Sequence, residues 1–412
     1  MRALVFDPSA TRLPIAGLAS RVSPVLALRG RAPLSLREVP EPPSPGLDWV
    51  RLRVLRTGIC GSDVKEALLQ ASSDNPLSGL VSFPHIPGHE ILAEVATGHG
   101  GAGLADGTRV AVDPWLGCVA RGLVNPCAAC SAGFPPHCAN VLDGGPWGTG
   151  RGMHLGTVRA LPGGFAQIIH AHRSQIHPVP ERLASELVVL ADPMAVALHA
   201  VSQIPDQLVG PVLVLGAGTI GLSLALACRE RWPGAEVLVT TAWETQVGLV
   251  QAMGALPLRP DAAGVVPEMA RRGGGRLARP WRGGSWAVGG GVAVVFDSIG
   301  SAATTELSLR ALSPRGRLVT VGVGRPARTE TTLTYYKEVR VMGSNGYGMS
   351  GEGAPRRHLL DSALDLLAGN SDLVSAWVTH NLPLTHWQEA FTVAAQPDRS
   401  HSIKVSLKLW ED

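Results

Sequence analysis

Residues 211–232, "PVLVLGAGTIGLSLALACRERW", constrain the fold more than any other part of this 412-residue chain. They hold an apolar run typical of a buried strand, a glycine-rich turn and then an apolar-faced helix. "EVLVTT" follows as a second strand, and the alternation continues through "VAVVFDSIG", "ATTELSLRAL" and "GRLVTVGV". Strands that alternate with helices predict a parallel sheet, because parallel neighbours need a crossover connection. We therefore predict a doubly wound α/β domain over residues 193–344.

The glycine turn "GAGTIG" matches the pattern G-x-G-x-x-G in the strand–turn–helix setting that a dinucleotide site requires. Gly216 permits the tight turn, Gly218 lets the backbone approach a pyrophosphate, and Gly221 permits close packing of helix on strand. The start of the helix, with Thr219 and Ile220, favours an anion. The turn therefore predicts a Rossmann domain that binds NAD(P)(H).

The choice between NAD and NADP is left open by the residue 20 positions after Gly221. A site that prefers NAD usually has Asp or Glu there, bonded to the ribose hydroxyl, whereas this chain has Thr241. The carboxylate that would repel a 2′-phosphate is missing, but no arginine follows closely and Glu244 is near. Thr241 is thus a candidate cofactor contact that permits either dinucleotide.

Four of the six cysteines lie within 21 residues of one another. They are Cys118, Cys127, Cys130 and Cys138. In a reducing compartment such crowding favours metal thiolates over disulfides. Four thiolates suit tetrahedral zinc, so we predict a structural zinc site that holds the local fold together.

A second metal site is predicted from residues that are spread more widely. Cys60 lies in "TGICGSDVKEA", and His89 and Glu90 follow it by 29 and 30 residues in "FPHIPGHEILAEV". A thiolate, an imidazole and a carboxylate suit a catalytic zinc that keeps an exchangeable position. Asp192, in "LADPMAVALHAV", adds a carboxylate where the two predicted domains meet.

The rest of the chain predicts the remaining architecture. Residues 1–192 are rich in Gly and Pro with short β-branched runs, which indicates a small β-barrel. The tail, 345–412, carries two helices and a last strand, "HSIKVSLKLW", and we expect it to rejoin the barrel. Residues 8–31 are interpreted as an insertion. Residues 268–291, rich in Arg and Gly, predict a solvated loop, with an RNA-binding segment as the alternative.

Composition excludes few classes of partner. The formal net charge of +3 gives no reason to expect nucleic acid as a partner. No apolar run reaches the roughly 18 residues of a membrane span, and the start of the sequence lacks the pattern of a secretory signal. We therefore expect a cytoplasmic protein that acts on a small molecule and has neither a nucleic-acid nor a membrane partner.

The chain resembles a known family, the zinc-dependent medium-chain dehydrogenases, which include alcohol, sorbitol and threonine dehydrogenases. The resemblance rests on "GICGSD", "PGHE", the cysteine lobe, "GGFAQ", "DPMAVALHAV", "GAGTIG" and "YYKEVRVMGSNGYG", in this order. It implies a GroES-like catalytic domain over 1–192, completed by 345–412, around the Rossmann domain. It also implies a homodimer or homotetramer.

The resemblance assigns roles to residues of the predicted catalytic site. It implies that Cys60 and His89 are zinc ligands, with Glu90 as a ligand or a close neighbour of the metal. Ser62 matches the hydroxyl that passes on the substrate proton, and Asp63 matches the carboxylate that orients His89.

Three positions depart from the family pattern. Asp192 takes the place of a glutamate in the polyol and threonine branches, and its shorter side chain would reach zinc through water. Lys65 stands where some members have a relay histidine, which leaves the route of the proton open. Val124 stands where the first cysteine of the lobe is usual, and Cys118 is the substitute.

The resemblance implies that zinc lowers the pKa of a bound alcohol while hydride passes to nicotinamide. An alcohol or polyol dehydrogenase is the function that Cys60, Ser62, His89 and Asp192 favour. A biosynthetic reductase of a ketone, an aldehyde or an activated double bond is the first alternative. A dinucleotide-binding sensor without catalysis is the second.

Overall fold

The chain forms two compact units in the computed structural model. The structure describes residues 1–9, 32–70, 75–99, 104–324, 328–351 and 356–411, with isolated positions between 13 and 28. The first unit comprises Met1–Asp192 and Tyr347–Asp412, and the second comprises Pro193–Gly346. Most of the predicted insertion at 8–31 lies outside the described residues.

The first unit is built on a seven-stranded sheet in the order β16-β17-β3-β4-β5-β7, with β6 paired to β3. A separate antiparallel pair, β1 and β2, accompanies it. The strands are β1 (Arg2–Phe6), β2 (Leu34–Glu38), β3 (Trp49–Ile59), β4 (Glu90–Val95), β5 (Arg109–Val112), β6 (Ile168–His172), β7 (Ile176–Pro178), β16 (Val378–Pro383) and β17 (Lys404–Lys408).

Short helices join these strands and cover the sheet. They are α1 (Gly61–Ala67), α2 (Ala128–Ser131), α9 (Leu359–Gly369), α10 (Ser371–Ser375), α11 (Trp387–Ala395) and α12 (Pro397–Ser400). Inward-facing side chains of β3 and β4 pack with Phe165 and Phe391, whose rings meet edge to face at 5.7 Å. Each of these phenylalanines is at most 1% exposed, and burial of such a side chain contributes about 1.5–3 kcal/mol.

The pairing of β3 with its neighbours positions the candidate site. β3 is antiparallel to both β4 and β17, and Gly58 is the residue opposite Glu90. A side chain at Gly58 would overlap the carboxylate of Glu90. The glycine therefore leaves the space in which Glu90 lies.

The second unit is a parallel sheet of six strands in the order β10-β9-β8-β13-β14-β15. Its strands are β8 (Val212–Leu215), β9 (Val237–Thr240), β10 (Leu256–Leu258), β13 (Val292–Asp297), β14 (Leu312–Thr320) and β15 (Arg340–Gly343). Its helices are α4 (Thr219–Arg231), α5 (Glu244–Ala252), α6 (Ala262–Arg272), α7 (Ala302–Ala311) and α8 (Thr332–Tyr336), and α3 (Ala191–Ser202) spans the boundary between the units. The predicted fold class is confirmed.

The prediction of a solvated loop over residues 268–291 is wrong in part. Its first residues complete α6, and an antiparallel hairpin follows, formed by β11 (Arg276–Ala278) and β12 (Trp286–Val288). The reason is a close approach of backbones, since a side chain at Gly273 would overlap the backbone of Gly291. Some of the arginines that led to the prediction of a solvated loop form ion pairs. Arg272, for example, pairs with both Glu236 and Glu268.

One helical stretch, Ser185–Ser202, has the length and mean hydropathy of a membrane span. Buried core helices pass the same test, and 61% of this stretch is buried inside the protein. Glu186 and Asp192 also interrupt it, so it is weak evidence for a membrane span.

Candidate metal and catalytic sites

The four clustered cysteines converge on one point of the first unit. Their sulfur atoms all lie within 4.8 Å of one another, and the sulfurs of Cys118 and Cys138 are 3.6 Å apart. Four sulfurs at 2.3 Å from a tetrahedral zinc would be separated by about 3.8 Å. The donor set and its spacing therefore fit zinc.

Backbone amides support these sulfurs as they support thiolates. The amide of Cys118 donates to Sγ of Cys130 at 3.3 Å, and that of Cys127 donates to Sγ of Cys118 at 3.3 Å. The amide of Ala139 donates to Sγ of Cys127 at 3.4 Å, and the pKa of the Cys127 thiol is lowered by this bond first. Cys118 takes part in the cluster, whereas Val124 is exposed.

The second predicted site is also assembled within the first unit. Cys60, His89 and Glu90 each bring one ligand atom within 4.8 Å of the others. Cys60 precedes α1, His89 precedes β4 and Glu90 opens β4. This soft and mixed donor set, with three protein ligands, is suited to a zinc ion that retains an exchangeable position.

Asp63 holds this cluster in place from α1. Its carboxylate accepts the amide proton of Cys60 at 2.9 Å and lies 3.7 Å from Nδ1 of His89. Burial raises the pKa of Asp63 to about 6, although the charge of His89 opposes the shift. Burial lowers the pKa of His89, but Asp63 and Cys60 outweigh it and the net pKa is well above the ordinary value. A bound metal would require His89 to lose that proton.

Glu90 is held by a cation that comes from the far end of the chain. Nζ of Lys404 donates to both of its carboxylate oxygens, and the two side chains are 3% and 2% exposed. Nζ also lies 3.3 Å from the carbonyl oxygen of Ile59. The sequence contained no local indication of this partner.

Asp192 lies outside the group formed by Cys60, His89 and Glu90 among the described residues. Its Oδ1 accepts a hydrogen bond from the hydroxyl of Tyr347 at 2.8 Å. Burial raises the pKa of Asp192 to about 6, and burial also raises the pKa of Tyr347. Sequence reasoning missed Tyr347, although it lies in the motif "YYKEVRVMGSNGYG" that supported the family resemblance.

Ser62, the predicted proton carrier, is exposed on α1, and so is Lys65, which stands where some members have a relay histidine. A second residue missed by sequence reasoning is His154, whose ring lies 5.3 Å from that of His89. Its Nδ1 donates to the carbonyl of Leu155 at 2.6 Å, and burial lowers its pKa to about 3. His154 is therefore an uncharged ring packed beside that of His89. In the sequence it is a lone histidine in a glycine-rich segment, and nothing there indicates this position.

The glycine turn of the second unit has the geometry of an anion site. Gly216 has φ +94°, and a side chain at Gly221 would overlap the carbonyl of Gly216. Gly218 caps α4, and no atom lies within 4 Å of the side chain that it lacks. Thr219 and Ile220 form the first turn of α4. The turn therefore fits a dinucleotide pyrophosphate above Gly218.

Thr241 follows β9, where a ribose-binding acid would stand. It is 5% exposed, and its hydroxyl donates to the carbonyl of Leu258 at 3.3 Å. The neighbouring Thr240 accepts the amide proton of Gly216 at 2.7 Å, which ties the end of β9 to the glycine turn. The Thr241 hydroxyl thus keeps an acceptor oxygen and adds no negative charge.

Comparisons with known proteins agree with this geometry. Residues 46–181 match the alcohol dehydrogenase GroES-like domain and residues 219–368 match the zinc-binding dehydrogenase family. The chain is 28% identical to an L-threonine 3-dehydrogenase of Saccharopolyspora erythraea, over 88% of this chain and 92% of that protein. It is 25% identical to a D-arabitol-phosphate dehydrogenase of Enterococcus avium, over 88% and 90%.

Solved structures agree as well. A zinc-binding dehydrogenase of Sinorhizobium meliloti, solved with NADP bound, superposes with a TM-score of 0.68 at 26% identity, over 93% of this chain and 98% of that one.

The chain belongs to the zinc-dependent medium-chain dehydrogenase family. It is an oxidoreductase of the alcohol dehydrogenase type that uses zinc and NAD(P), which confirms the enzymatic prediction over the alternative of a non-catalytic sensor.

Proposed function

We propose that the protein oxidises a secondary hydroxyl of a small polyol-like substrate, with Cys60 and His89 as ligands of a catalytic zinc. The observation that carries the proposal is the convergence of Cys60, His89 and Glu90 within 4.8 Å, with Asp63 against His89. The first unit is the catalytic domain in this proposal, and the second unit binds the dinucleotide through its glycine turn. The lobe of Cys118, Cys127, Cys130 and Cys138 holds a structural zinc.

When bound, zinc lowers the pKa of a substrate alcohol, and nicotinamide accepts the hydride. The residues around the site bind, orient and carry protons. Asp63 orients the His89 ring through Nδ1, as carboxylates do for metal-bound histidines. Ser62 passes on the substrate proton, and its exposed position on α1 gives that proton a path to solvent. Lys404 keeps the charge of Glu90 balanced beside the metal.

The polyol part of the proposal is supported by Asp192 and by the relatives. Asp192 presents a carboxylate that Tyr347 holds in one orientation through a 2.8 Å hydrogen bond. Asp192 is close enough to His89 for their charges to interact, and a carboxylate and a phenol at that place suit a substrate with a second polar group. Arabitol phosphate and threonine, which the names of two relatives print, both carry such groups beside a secondary alcohol.

A homodimer or homotetramer in the cytoplasm completes the proposal. The support is the family and the six cysteines, all of which are free thiols as a reducing compartment requires. Size-exclusion chromatography with light scattering tests the assembly.

A Cys60→Ser variant tests the catalytic site. It should lose about one zinc equivalent per chain, because a hydroxyl is a poor zinc ligand, and turnover should fall by about two orders of magnitude or more. Dinucleotide binding, followed by fluorescence titration, should survive because the glycine turn lies in the second unit. Cys228→Ala is the matched control, since Cys228 is a buried thiol outside every cysteine cluster.

The proposal fails if Cys60→Ser protein keeps both its full zinc content and its turnover. The substrate class is tested separately, with a panel of polyols, amino alcohols, aldehydes and ketones assayed in both directions with NAD and NADP. Activity confined to carbonyls or activated double bonds of larger metabolites would favour the biosynthetic reductase instead.

A further inference from the structure

A third cluster of metal-ligating side chains lies in the first unit, apart from the cysteine lobe and from Cys60 and His89. It consists of Asp113, His177 and His358, and one ligand atom of each lies within 4.8 Å of the others. This is the same separation that the two zinc-type clusters of this chain meet. The three residues are contributed by three different elements. Asp113 follows β5, His177 lies in β7 beside it, and His358 precedes α9.

His177 has the hydrogen-bonding state of a metal-bound histidine. Its Nδ1 lies 2.7 Å from Oδ1 of Asp361, and an ionised carboxylate only accepts, so Nδ1 carries the proton. In the neutral ring the lone pair is then on Nε2. The residue is 7% exposed, and Nε2 is buried without a hydrogen-bond partner among the residues that the structure describes. A carboxylate that fixes the tautomer of a ligating histidine is the usual arrangement around protein metals.

Asp113 supplies negative charge to the same place. It is 3% exposed, and its Oδ1 accepts the amide proton of Trp115 at 3.2 Å. Its Oδ2 lies 3.4 Å from Nε2 of His358, which is its one ion-pair contact within the described part of the chain. A buried carboxylate is costly unless it is paired with a charge or coordinates a metal.

His358 adds the third ligand, and it comes from Tyr347–Asp412, the C-terminal part of the first unit. Its Nδ1 accepts the amide proton of Leu360 at a long 3.3 Å, at the start of α9. A metal on Nε2 would shift the ring proton to Nδ1, and this long bond would be given up. The ring of His358 lies 4.5 Å from that of His177.

We propose that Asp113, His177 and His358 bind a third metal ion, a divalent transition metal of the zinc type. Two imidazoles and one carboxylate are a common protein ligand set for zinc, and a fourth position remains for water. Asp361 orients the His177 ring through its hydrogen bond to Nδ1. The ion ties α9 to β5 and to the edge strand β7, and it balances the carboxylates of Asp113 and Asp361.

Metal titration of the intact, zinc-loaded protein tests the site. Zinc is added to saturation, and metal content is measured after equilibrium dialysis at a fixed free zinc concentration. The wild-type chain should hold about three equivalents, two in the sites with cysteine ligands and one here. His177→Gln and Asp113→Asn should each hold about two.

His170→Gln is the matched control. His170 is a buried histidine of β6 in the same sheet and is 4% exposed. Its Nδ1 also has no partner among the described residues, but it belongs to none of the three clusters. This variant should keep about three equivalents.

Cobalt spectra of the wild-type protein give a test that needs no variant. The third cobalt equivalent should add d–d absorption without a further sulfur-to-cobalt charge-transfer band, because its ligands are nitrogen and oxygen. Saturation of the wild-type chain at two equivalents overturns the proposal. A third equivalent that brings a sulfur band, or that His177→Gln and Asp113→Asn both retain, overturns it equally.

Discussion

Nζ of Lys404 lies 2.7 Å and 2.6 Å from the two carboxylate oxygens of Glu90, in a pair that is almost wholly buried. Burial lowers the pKa of Lys404, but the charge of Glu90 outweighs it, and the net pKa is raised. Lys404 thus keeps its proton at neutral pH. The pair holds the Glu90 carboxylate in place beside Cys60 and His89.

Lys404→Met should destabilise the first unit by about 3–5 kcal/mol, because it leaves the Glu90 carboxylate buried and unpaired. Removal of both charges, in a Glu90→Gln and Lys404→Met double variant, should recover much of the loss. Denaturant titration of the single and double variants measures this coupling.

Arg173→Met is the matched control for this ion pair. Arg173 pairs with Asp48 in the same unit, but both side chains are largely exposed, and such pairs contribute about 0–1 kcal/mol. If Lys404→Met lowers the free energy of unfolding no more than Arg173→Met does, the buried pair of Lys404 and Glu90 does not stabilise the first unit.

Cys130→Ser should remove about one zinc equivalent and lower the melting temperature, since the binding free energy of a structural zinc is folding free energy. Cys118→Ser should have the same effect, because the Cys118 sulfur lies 3.6 Å from that of Cys138. Metal analysis and calorimetry measure both changes, and Cys228→Ala serves as the control. Full zinc content in Cys118→Ser alone would remove only the fourth ligand from the proposal.

Local spacing predicted the parts of the site that lie on short segments. The glycine turn and the cysteine lobe are each contained in a few neighbouring residues, so their geometry follows from the local chain. The contacts that complete the site join distant segments, as Lys404 with Glu90 and Tyr347 with Asp192 do over 314 and 155 residues. Strand register sets the first contact, because β17 and β4 both pair with β3. No pattern near any of these four residues indicates its partner.

Thr241→Asp should shift cofactor preference toward NAD. The Thr241 hydroxyl adds no charge at the end of β9, whereas a carboxylate there would accept from the ribose hydroxyls and repel a 2′-phosphate. The ratio of kcat/KM for NAD to that for NADP measures the shift. A wild-type enzyme that already prefers NAD by about a hundredfold, or about 2.7 kcal/mol, would contradict the role given to Thr241.

The burial of Lys337 should make the stability of the second unit depend on pH. It is 2% exposed, and its Nζ donates to the carbonyls of Leu309, Arg310 and Leu312 where α7 ends. Burial lowers the pKa of Lys337 from 10.5 to about 8. Below pH 8 both the folded and the unfolded chain carry the proton, and the cost of burying the charge is present in full. Between pH 8 and 10.5 the unfolded chain binds more protons, so the free energy of unfolding should rise with pH in that window.

Comparison with Lys337→Met isolates this contribution from other groups that titrate in the same range. The rise in the free energy of unfolding from pH 8 to 10.5 should be larger in the wild type than in the variant, by at most about 3 kcal/mol. At pH 7 the variant should be less stable than the wild type by about 2–4 kcal/mol, because three carbonyls lose a charged donor. Arg315→Met, which removes an exposed pair with Glu338, should change little. Parallel pH profiles for wild type and Lys337→Met would show that Lys337 keeps its proton throughout the window, with the three carbonyls compensating for its burial.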